Sequence, residues 1–248
     1  MFKLIIILII LLVLILLLNN NSTSGFSSNT TNNKYKIIVA KYNEDIDWLL
    51  VDNNVIVYNK GKKLLSEGFN GKLVKNVGRE AETYLHYIID NYDDLPDVLI
   101  FTQGNITDHL VDKYKGLNSL EYLIELKNEA LHYKKSNNYF IYDDLLENDI
   151  VKRKSFSPKW NNDNNKWYLD AHYKNNKYVY FDDWFKKNIQ NDYPNPMNIY
   201  IGAIFAVSKE LVLNNSLEYY KILISLVNWD SNPVEAHFFE RSWYYIFK

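Results

Sequence analysis

Three short apolar runs, separated by segments that favour helix, are the feature that most constrains the fold of this chain. Residues 36–42, 55–58 and 98–102 are rich in Ile, Val, Leu and aromatic residues, as expected of buried strands. Helical segments fall between them, so the order is strand, helix, strand, helix, strand. This order predicts an α/β fold, a single three-layer domain with a mainly parallel sheet.

The helix between the second and third strands has the clearest pattern. From Ala81 to Tyr92, apolar residues recur at the three- and four-residue spacing of one buried stripe. A shorter helix is expected to begin at Glu44, with Asn43 as its N-cap. Further along, the sequence predicts a helix over residues 118–133, a strand over 199–207, two helices reaching residue 227 and a last helix from residue 232.

A cation stands where the helix after the second strand begins. Gly78 permits a tight turn, and Glu80 suits the first turn because the helix dipole favours a carboxylate there. Arg79 opposes that dipole, so its position calls for an anionic partner. Free backbone N–H groups and a guanidinium fork predict a phosphate or carboxylate site. The alternative is that Arg79 pairs with a nearby Asp or Glu and only braces the fold.

Polar residues follow the strands at the points where they end. In parallel α/β sheets, ligands bind beyond the carboxyl ends of the strands. The loop that carries Arg79 leads from the sheet into a helix, so it is expected at the same edge. The residues expected to line a ligand site there are Tyr42, Asn43, Glu44, Asn76, Gly78, Arg79, Glu80, Gln103 and Asn105.

The composition excludes several classes of site. The chain has no cysteine, which rules out disulfides, cysteine-ligated zinc and thiol nucleophiles. Its formal net charge of −2 provides no general attraction to nucleic acid, so no nucleic-acid partner is expected. The sequence also has no Ser-His-Asp signature, zinc motif or Walker-type glycine loop.

The N-terminus differs from the rest of the chain. Residues 4–18 are uninterrupted Leu, Ile and Val, which predicts a membrane-crossing signal-anchor helix over residues 1–18; a cleaved signal peptide is the alternative. Residues 19–34 are mostly Asn, Ser and Thr and indicate a flexible stalk. The globular domain, residues 35–248, is then expected on the lumenal or extracellular side of the secretory route. Glycosylation sequons that fit this route start at Asn21, Asn29 and Asn105.

The last helix carries a second set of candidate functional residues. His237, Glu240 and Arg241 share one side of it, opposite an apolar stripe. Aromatic residues around them predict burial, and a partly buried Glu240 between its two basic neighbours would be a held carboxylate with a tunable pKa. The alternative is a surface ion pair between Glu240 and one of these neighbours.

The segment of residues 136–198 is rich in Tyr, Trp, Asn and Asp and has weak periodicity, as is typical of a lid or binding loop. Its aromatic side chains would suit stacking on sugar rings, whereas the alternative is that they pack in the core. The side chains concerned are Trp160, Trp167, Tyr168 and Trp184.

Three stretches resemble a family of uncharacterised domains found in fungal and viral proteins. They are Asn-Val-Gly-Arg-Glu-Ala from residue 76, Phe-Thr-Gln-Gly-Asn from residue 101 and Glu-Arg-x-Trp from residue 240. More distantly, the chain is similar to glycosyltransferases of the GT-A type. That resemblance implies a GT-A or Rossmann-like sheet, a nucleotide-sugar donor and a carbohydrate or glycoprotein acceptor. It also implies that Glu240 acts at the acceptor, with His237 and Arg241 beside it.

The chain departs from the GT-A pattern at the expected metal site. Many such enzymes carry Asp-x-Asp after the strand that here ends near Thr102, where it holds a divalent metal on the diphosphate. This sequence has Gln103, Gly104 and Asn105 instead, with Asp108 three residues on. Asn105 and Asp108 offer oxygen ligands for Mn²⁺ or Mg²⁺; otherwise Arg79 and the helix N-terminus neutralise the phosphates without a metal.

Two functions follow from these observations. The first is a membrane-anchored glycosyltransferase-like enzyme in which the Arg79 loop holds the donor diphosphate and Glu240 is the base. The second is a carbohydrate- or protein-binding domain on the same fold without turnover, which the missing Asp-x-Asp favours. A hydrolase with paired carboxylates is a third alternative, and it needs two acids close together in a cleft.

Overall fold

A five-stranded sheet forms the centre of the fold. The computed structural model describes residues 34–107, 118–135, 170–177, 179–194 and 203–247. Residues Lys34–Lys248 form one unit of mixed α/β architecture. Its strands are β1 (Tyr35–Lys41), β2 (Val55–Asn59), β3 (Gly71–Leu73), β4 (Val98–Gln103) and β5 (Phe205–Ser208).

The sheet is mostly parallel. Its strands lie in the order β3, β2, β1, β4, β5, and the first four run parallel to one another. The central strand β1 is paired on both sides, with Ile37 opposite Val55 of β2 and Ile100 of β4. Only β5 is antiparallel, with Phe205 opposite Phe101. The expected α/β class and mainly parallel sheet are therefore confirmed.

The helix expected to begin at Glu44 is not formed. A single 3-10 turn, Asp47–Leu49, occupies this segment. The Glu44 carboxylate turns back to accept the N–H of Tyr42 at 2.6 Å, and the carboxylate of Asp45 accepts a backbone N–H two residues further on. Such local side-chain bonds offer the backbone an alternative to helix, and Asn43 therefore does not act as an N-cap.

Two strands differ from the expected ones. β3 has no counterpart among the predicted strands because it is only three residues long and fully exposed, so no apolar pattern marks it. β5 begins at Phe205 rather than at residue 199. Ala203 adopts a φ of +54°, which no extended strand contains, and residues 195–202 lie outside the described residues.

Six helices are described around the sheet. Helix α1 packs on β1 and β4 and contacts α5 and α6, whereas α2 packs against β4 and β5. The helices are α1 (Arg79–Asp90), α2 (Ser119–Lys135), α3 (Phe181–Asn188), α4 (Lys209–Leu213), α5 (Leu217–Ser225) and α6 (Val234–Phe247).

Several helix starts follow the capping residues that the sequence predicts. At the start of α2, Asn118 accepts the N–H of Glu121 at 3.0 Å, and Glu121 accepts the N–H of Asn118 at 2.9 Å, which completes a capping box. The hydroxyls of Ser208 and Ser216 accept backbone N–H groups at the starts of α4 and α5. These three predicted N-caps are confirmed.

A cluster of buried rings joins α1, α6 and the antiparallel end of the sheet. Tyr84 of α1 lies 4.6 Å from Phe101 and 5.7 Å from Trp243, measured between ring centroids. Trp243 stacks on Phe247 with an interplanar angle of 11° and also contacts Phe205. We call these five residues the aromatic core; each is no more than 1% exposed.

Some predictions fall on residues that the structure does not describe. They are the N-terminal hydrophobic helix, the stalk before residue 34, and the aromatic residues Trp160, Trp167 and Tyr168. Trp184 is described, and it packs in the core as the alternative interpretation had it, with its ring 5.2 Å from that of Phe239. Within the described ranges, no helix combines the length and apolar character needed to cross a bilayer.

Candidate functional site

A pocket opens at the carboxyl edge of the parallel strands. Its volume is about 310 Å³, which is at the lower end of the range for small-molecule sites. We call it the cationic pocket because three of its side chains, against two carboxylates, are basic. It is lined by Ala40, Lys41, Tyr42, Glu44, Lys60, Asn76, Arg79, Glu80, Gln103 and Ser231.

The wall formed by the start of α1 has an unusual backbone. Gly78 has a φ of +62°, and Arg79, the first residue of the helix, has a φ of +50°. The left-handed region costs a non-glycine residue energy, so surrounding bonds must hold it in place. The N–H of Gly78 donates to the carbonyl of Asp230 at 2.7 Å. A Cβ on Gly78 would collide with the side chain of Glu82, so only glycine fits there.

Lys60, just past the end of β2, is the main clamp on this wall. Its ammonium donates to the carbonyls of Val77 and Arg79, both at 2.5 Å, and to the Glu82 carboxylate at 2.7 Å. The Lys60 side chain is only 4% exposed. Burial lowers the pKa of Lys60, and Glu82 and Glu80 oppose that shift. The three bonds occupy all three ammonium donors and the Glu82 carboxylate balances the charge, so the role of Lys60 is to fix the shape of the pocket wall.

Lys41, the last residue of β1, is the second buried lysine of the pocket. It is 2% exposed. Its ammonium donates to the carbonyls of Tyr42 and Lys63 at 3.3 and 3.4 Å, both long bonds. Among the described residues, no carboxylate lies within ion-pair distance of it. Burial lowers the pKa of Lys41, with Glu44 acting in the opposite direction. Lys41 therefore brings to the pocket a positive charge that no carboxylate in the described part of the chain neutralises directly.

The Arg79 side chain is partly exposed over the pocket. Its Nη1 donates to Oδ1 of Asn232 at 3.3 Å, and its Nε lies 3.6 Å from Glu80. The same Asn232 oxygen accepts a hydrogen bond from Nε2 of His237 at 3.1 Å. These contacts direct the guanidinium but leave 43% of the side chain open to solvent, so it remains able to receive an anion.

The two carboxylates of the pocket differ in their surroundings. Glu80 is buried, and its charge acts on both Tyr84 and Arg241. Glu44 is half-buried and folded over the end of β1, where it also lies against Gly104. Beside it, Tyr42 is 51% exposed, which leaves an aromatic face at the pocket mouth.

The three candidates on α6 lie next to Arg79 and Glu80 and do not line the pocket. Arg241 is 3% exposed and donates to the carbonyl of His237 at 2.7 Å and to Glu240 at 3.0 Å. Burial lowers the pKa of Arg241 to about 9, although Glu80 opposes the shift. Burial, assisted by Arg79, lowers the pKa of His237 to about 3. His237 is therefore neutral at physiological pH, and Glu240 is half-buried and bonded to its neighbour.

The remaining predicted residues are placed outside the pocket lining. Asn43 lies against Gly61. Gly78 does not line the pocket, but its N–H bonds to the Asp230 carbonyl and so fixes the backbone beside Arg79. Asn105 is exposed and uses its side-chain oxygen to accept both the N–H and the hydroxyl of Thr107. Asp108, its proposed partner in metal binding, lies outside the described residues. In the described part of the chain, no group of three or more His, Asp or Glu side chains is placed to hold a metal ion.

The structure thus brings together six of the nine residues predicted for the ligand site at the sheet edge. They are Tyr42, Glu44, Asn76, Arg79, Glu80 and Gln103. Three important residues were missing from the sequence prediction: Lys41, Lys60 and Ser231. Both lysines stand at or directly after the end of an apolar strand, which was a usable signal. Ser231 carries no such signal, since it reaches the pocket through a bond between Gly78 and the loop before α6.

Comparisons with known proteins add a family but no activity. A family model described as "Protein of unknown function (DUF3431)" matches residues 37–248. All residues of the cationic pocket fall within the matched region. No curated protein and no solved structure matches the chain.

Proposed function

We propose a function from the geometry of the cationic pocket. The chain belongs to the DUF3431 family of proteins of unknown function, so the family itself supplies no activity to start from. The proposal is a membrane-anchored, glycosyltransferase-like enzyme that binds a nucleotide-sugar at the carboxyl edge of a GT-A-like sheet. It transfers the sugar to a carbohydrate or glycoprotein acceptor. The anchor is the apolar segment of residues 4–18, which places the domain on the lumenal or extracellular side.

The observation that carries this proposal is the convergence of three cations on one pocket. Lys41, Lys60 and Arg79 line it, against two carboxylates, Glu44 and Glu80. The Glu82 carboxylate balances the Lys60 ammonium at 2.7 Å, so Lys41 and the solvent-open Arg79 are the cations left to attract an anionic ligand, and the low dielectric of a partly buried site strengthens that attraction. A diphosphate suits this arrangement, since Arg79 presents a solvent-open fork while both lysines are held in place.

The pocket also has features that suit the rest of a nucleotide-sugar. Tyr42 offers an exposed aromatic face on which a base or a sugar ring would stack. Glu44 and Gln103 add hydrogen-bonding groups of the kind that select among hydroxyl-bearing ligands. A Mn²⁺ or Mg²⁺ cofactor would be held through oxygen atoms of Asn105 and Asp108, and the Asn105 oxygen would then exchange its bonds to Thr107 for the metal.

The test is a titration of the purified full-length chain with UDP- and GDP-sugars, with and without Mn²⁺. We expect binding of at least one of them, and we expect Arg79→Ala to weaken it about 10- to 100-fold, as loss of a charge-assisted bond predicts. Lys221→Ala is the matched control, because it removes one positive charge from an exposed ion pair on α5. It should leave the affinity unchanged within a factor of two.

The possible results separate the alternatives. A folded sample that binds none of these compounds would contradict the proposal. Binding without release of the sugar would favour the second function, a non-catalytic carbohydrate- or protein-binding domain. Equal weakening by Arg79→Ala and Lys221→Ala would mean that overall charge, and not the pocket, attracts the ligand.

A further inference from the structure

An Asp-His pair stands beside the cationic pocket, outside every role discussed so far. Nδ1 of His172 lies 2.7 Å from Oδ1 of Asp230. A carboxylate that accepts the Nδ1 proton fixes the ring tautomer, so that the Nε2 atom carries a lone pair. Within the described part of the chain, Nε2 of His172 has no hydrogen bond or ion pair, and the side chain is 58% exposed. The ring is therefore oriented by the protein and open to a ligand.

Hydrogen bonds to the backbone fix the positions of both members of the pair. The N–H of His172 donates to the carbonyl of Asn232 at 2.8 Å, and the carbonyl of His172 accepts the N–H of Val234 at 2.9 Å. The Asp230 carboxylate also accepts the N–H of Asn232 at 2.8 Å. This backbone bond, assisted by His172, lowers the pKa of Asp230, which keeps the carboxylate ionised.

The frame that holds the pair is continuous with the pocket wall. The carbonyl of Asp230 accepts the N–H of Gly78, and the next residue, Ser231, lines the pocket. Asn232 then binds the Arg79 guanidinium. The loop of residues 230–232 therefore holds Asp230, which orients His172. The same loop contacts Arg79, the residue expected to bind the diphosphate.

We propose that His172 is the general base of the transfer reaction and that Asp230 is its positioning residue. His172 takes the role expected of Glu240, which does not line the pocket and accepts a hydrogen bond from Arg241. This inference rests on the proposed function. Nε2 of His172 accepts the proton of the acceptor hydroxyl while that oxygen forms a bond to the anomeric carbon of the donor. The bond from the anomeric carbon to the diphosphate oxygen breaks, and its electron pair leaves with the nucleoside diphosphate. The protonated imidazole then returns its proton to solvent, so the step is a single displacement with inversion.

The other described histidines are placed differently. His237 is buried, and its Nε2 bonds to Asn232. His86 has both ring nitrogens between acids of its own helix, at 3.0 Å from Glu82 and 3.3 Å from Asp90. His132 is exposed on α2, which packs on β4 and β5. His132 therefore provides a matched control for a substitution at His172.

The experiment uses the full-length chain and the nucleotide-sugar that it binds best. Release of the nucleoside diphosphate is measured at neutral pH without any acceptor, so that water takes the acceptor's place. We expect His172→Gln to lower the rate about 100-fold or more while the dissociation constant changes less than threefold.

Asp230→Asn keeps the size of the side chain and the Oδ1 atom that faces both the Asn232 N–H and the His172 ring, but it removes the negative charge that stabilises the protonated imidazole. It should lower the rate at least tenfold with unchanged binding, whereas His132→Gln should change neither. Normal turnover by His172→Gln would overturn the inference and leave the proposed function standing. If the wild-type chain binds the donor but releases no nucleoside diphosphate, the base role of His172 is also contradicted. A chain that binds no donor would overturn both proposals.

Discussion

The aromatic core and the cationic pocket share helix α1, but they are held together in different ways. In the core, Tyr84 and Trp243 each contact several fully buried rings at centroid distances between 4.6 and 5.9 Å. In the pocket, the wall at Arg79 depends on a few bonds from distant residues, above all from Lys60 and to Asp230. Dispersion contacts are many and individually weak, whereas each buried charged bond matters on its own.

This difference predicts two kinds of response to substitution. Loss of one ring from the core should cost stability and leave the ligand affinity of the remaining folded protein nearly unchanged. Loss of one clamp from the pocket should cost less stability but change the shape of the wall, and with it the affinity. Measuring the free energy of unfolding and nucleotide-sugar affinity on the same variants therefore tests whether the two regions are independent.

The largest effect on stability is expected at Trp243. Its side chain is fully buried and contacts Tyr84, Phe205, Phe239 and Phe247. Trp243→Ala should lower the free energy of unfolding by about 4 kcal/mol, because it removes apolar burial and leaves a cavity. Urea unfolding of the full-length chain, followed by far-UV circular dichroism, measures this loss.

The control for this prediction is Trp243→Phe, which keeps a ring in the site and should cost less than half as much. Nucleotide-sugar affinity, measured well below the unfolding midpoint, should stay within a factor of two for both variants. An affinity loss in proportion to the stability loss would mean that the core and the pocket behave as one unit.

The core was the predictable part of the molecule. Periodic spacing placed Tyr84 and Leu85 on the buried face of α1, and apolar runs located β1, β2 and β4. Such patterns are local, because each element must bury one face wherever its neighbours lie. The wrong prediction at Glu44 also came from a local pattern. The sequence there favoured a helix, but the Glu44 carboxylate accepts the N–H of Tyr42 and stabilises a non-helical backbone instead.

The pocket was predictable only in part. The rule that ligands bind past the carboxyl ends of parallel strands located Tyr42, Arg79 and Gln103. Ser231 joins the pocket through long-range bonds of the loop before α6, which no local pattern encodes. His172 meets Asp230 across 58 residues of sequence. Contacts of this kind depend on the whole topology, and local patterns in a single sequence do not reveal them.

A smaller loss of stability, with a larger loss of binding, is expected at Lys60. Lys60→Met keeps an unbranched side chain of nearly the same length but removes all three bonds that hold the pocket wall. It leaves the buried Glu82 carboxylate with His86 as its remaining partner. We expect the free energy of unfolding to fall by about 3 kcal/mol and nucleotide-sugar affinity to fall at least tenfold.

The double variant Lys60→Met with Glu82→Gln separates the two effects. Replacing Glu82 removes the uncompensated charge, so roughly half of the lost stability should return. The carbonyls of Val77 and Arg79 would still lack their donor, so the affinity should not recover. Recovery of both quantities together would show that Lys60 matters only as the partner of Glu82.

The smallest effect is expected at His237 and depends on pH. Its folded-state pKa of about 3 lies below the value of 6.5 for an exposed imidazole. Below pH 6.5 the unfolded chain therefore binds a proton that the folded chain does not. The free energy of unfolding should fall as the pH decreases from 6.5 towards 3, by about 2 kcal/mol at pH 5 from this group. His237→Gln, which can still donate to Asn232, should lack this component when unfolding is compared at pH 7 and pH 5.

His86→Gln is the matched control, because the pKa of His86 shifts in the opposite direction. The hydrogen bond that the ring donates to Glu82 raises the pKa of His86, so His86 stabilises the folded state at low pH and loses that contribution as the pH rises through its folded-state pKa. Its removal should make the wild-type loss in acid steeper, whereas removal of His237 should make it shallower. If both variants changed the slope in the same direction, the folded protein would bind a proton at His237 in acid, and the assignment of a neutral imidazole beside Arg79 would be wrong.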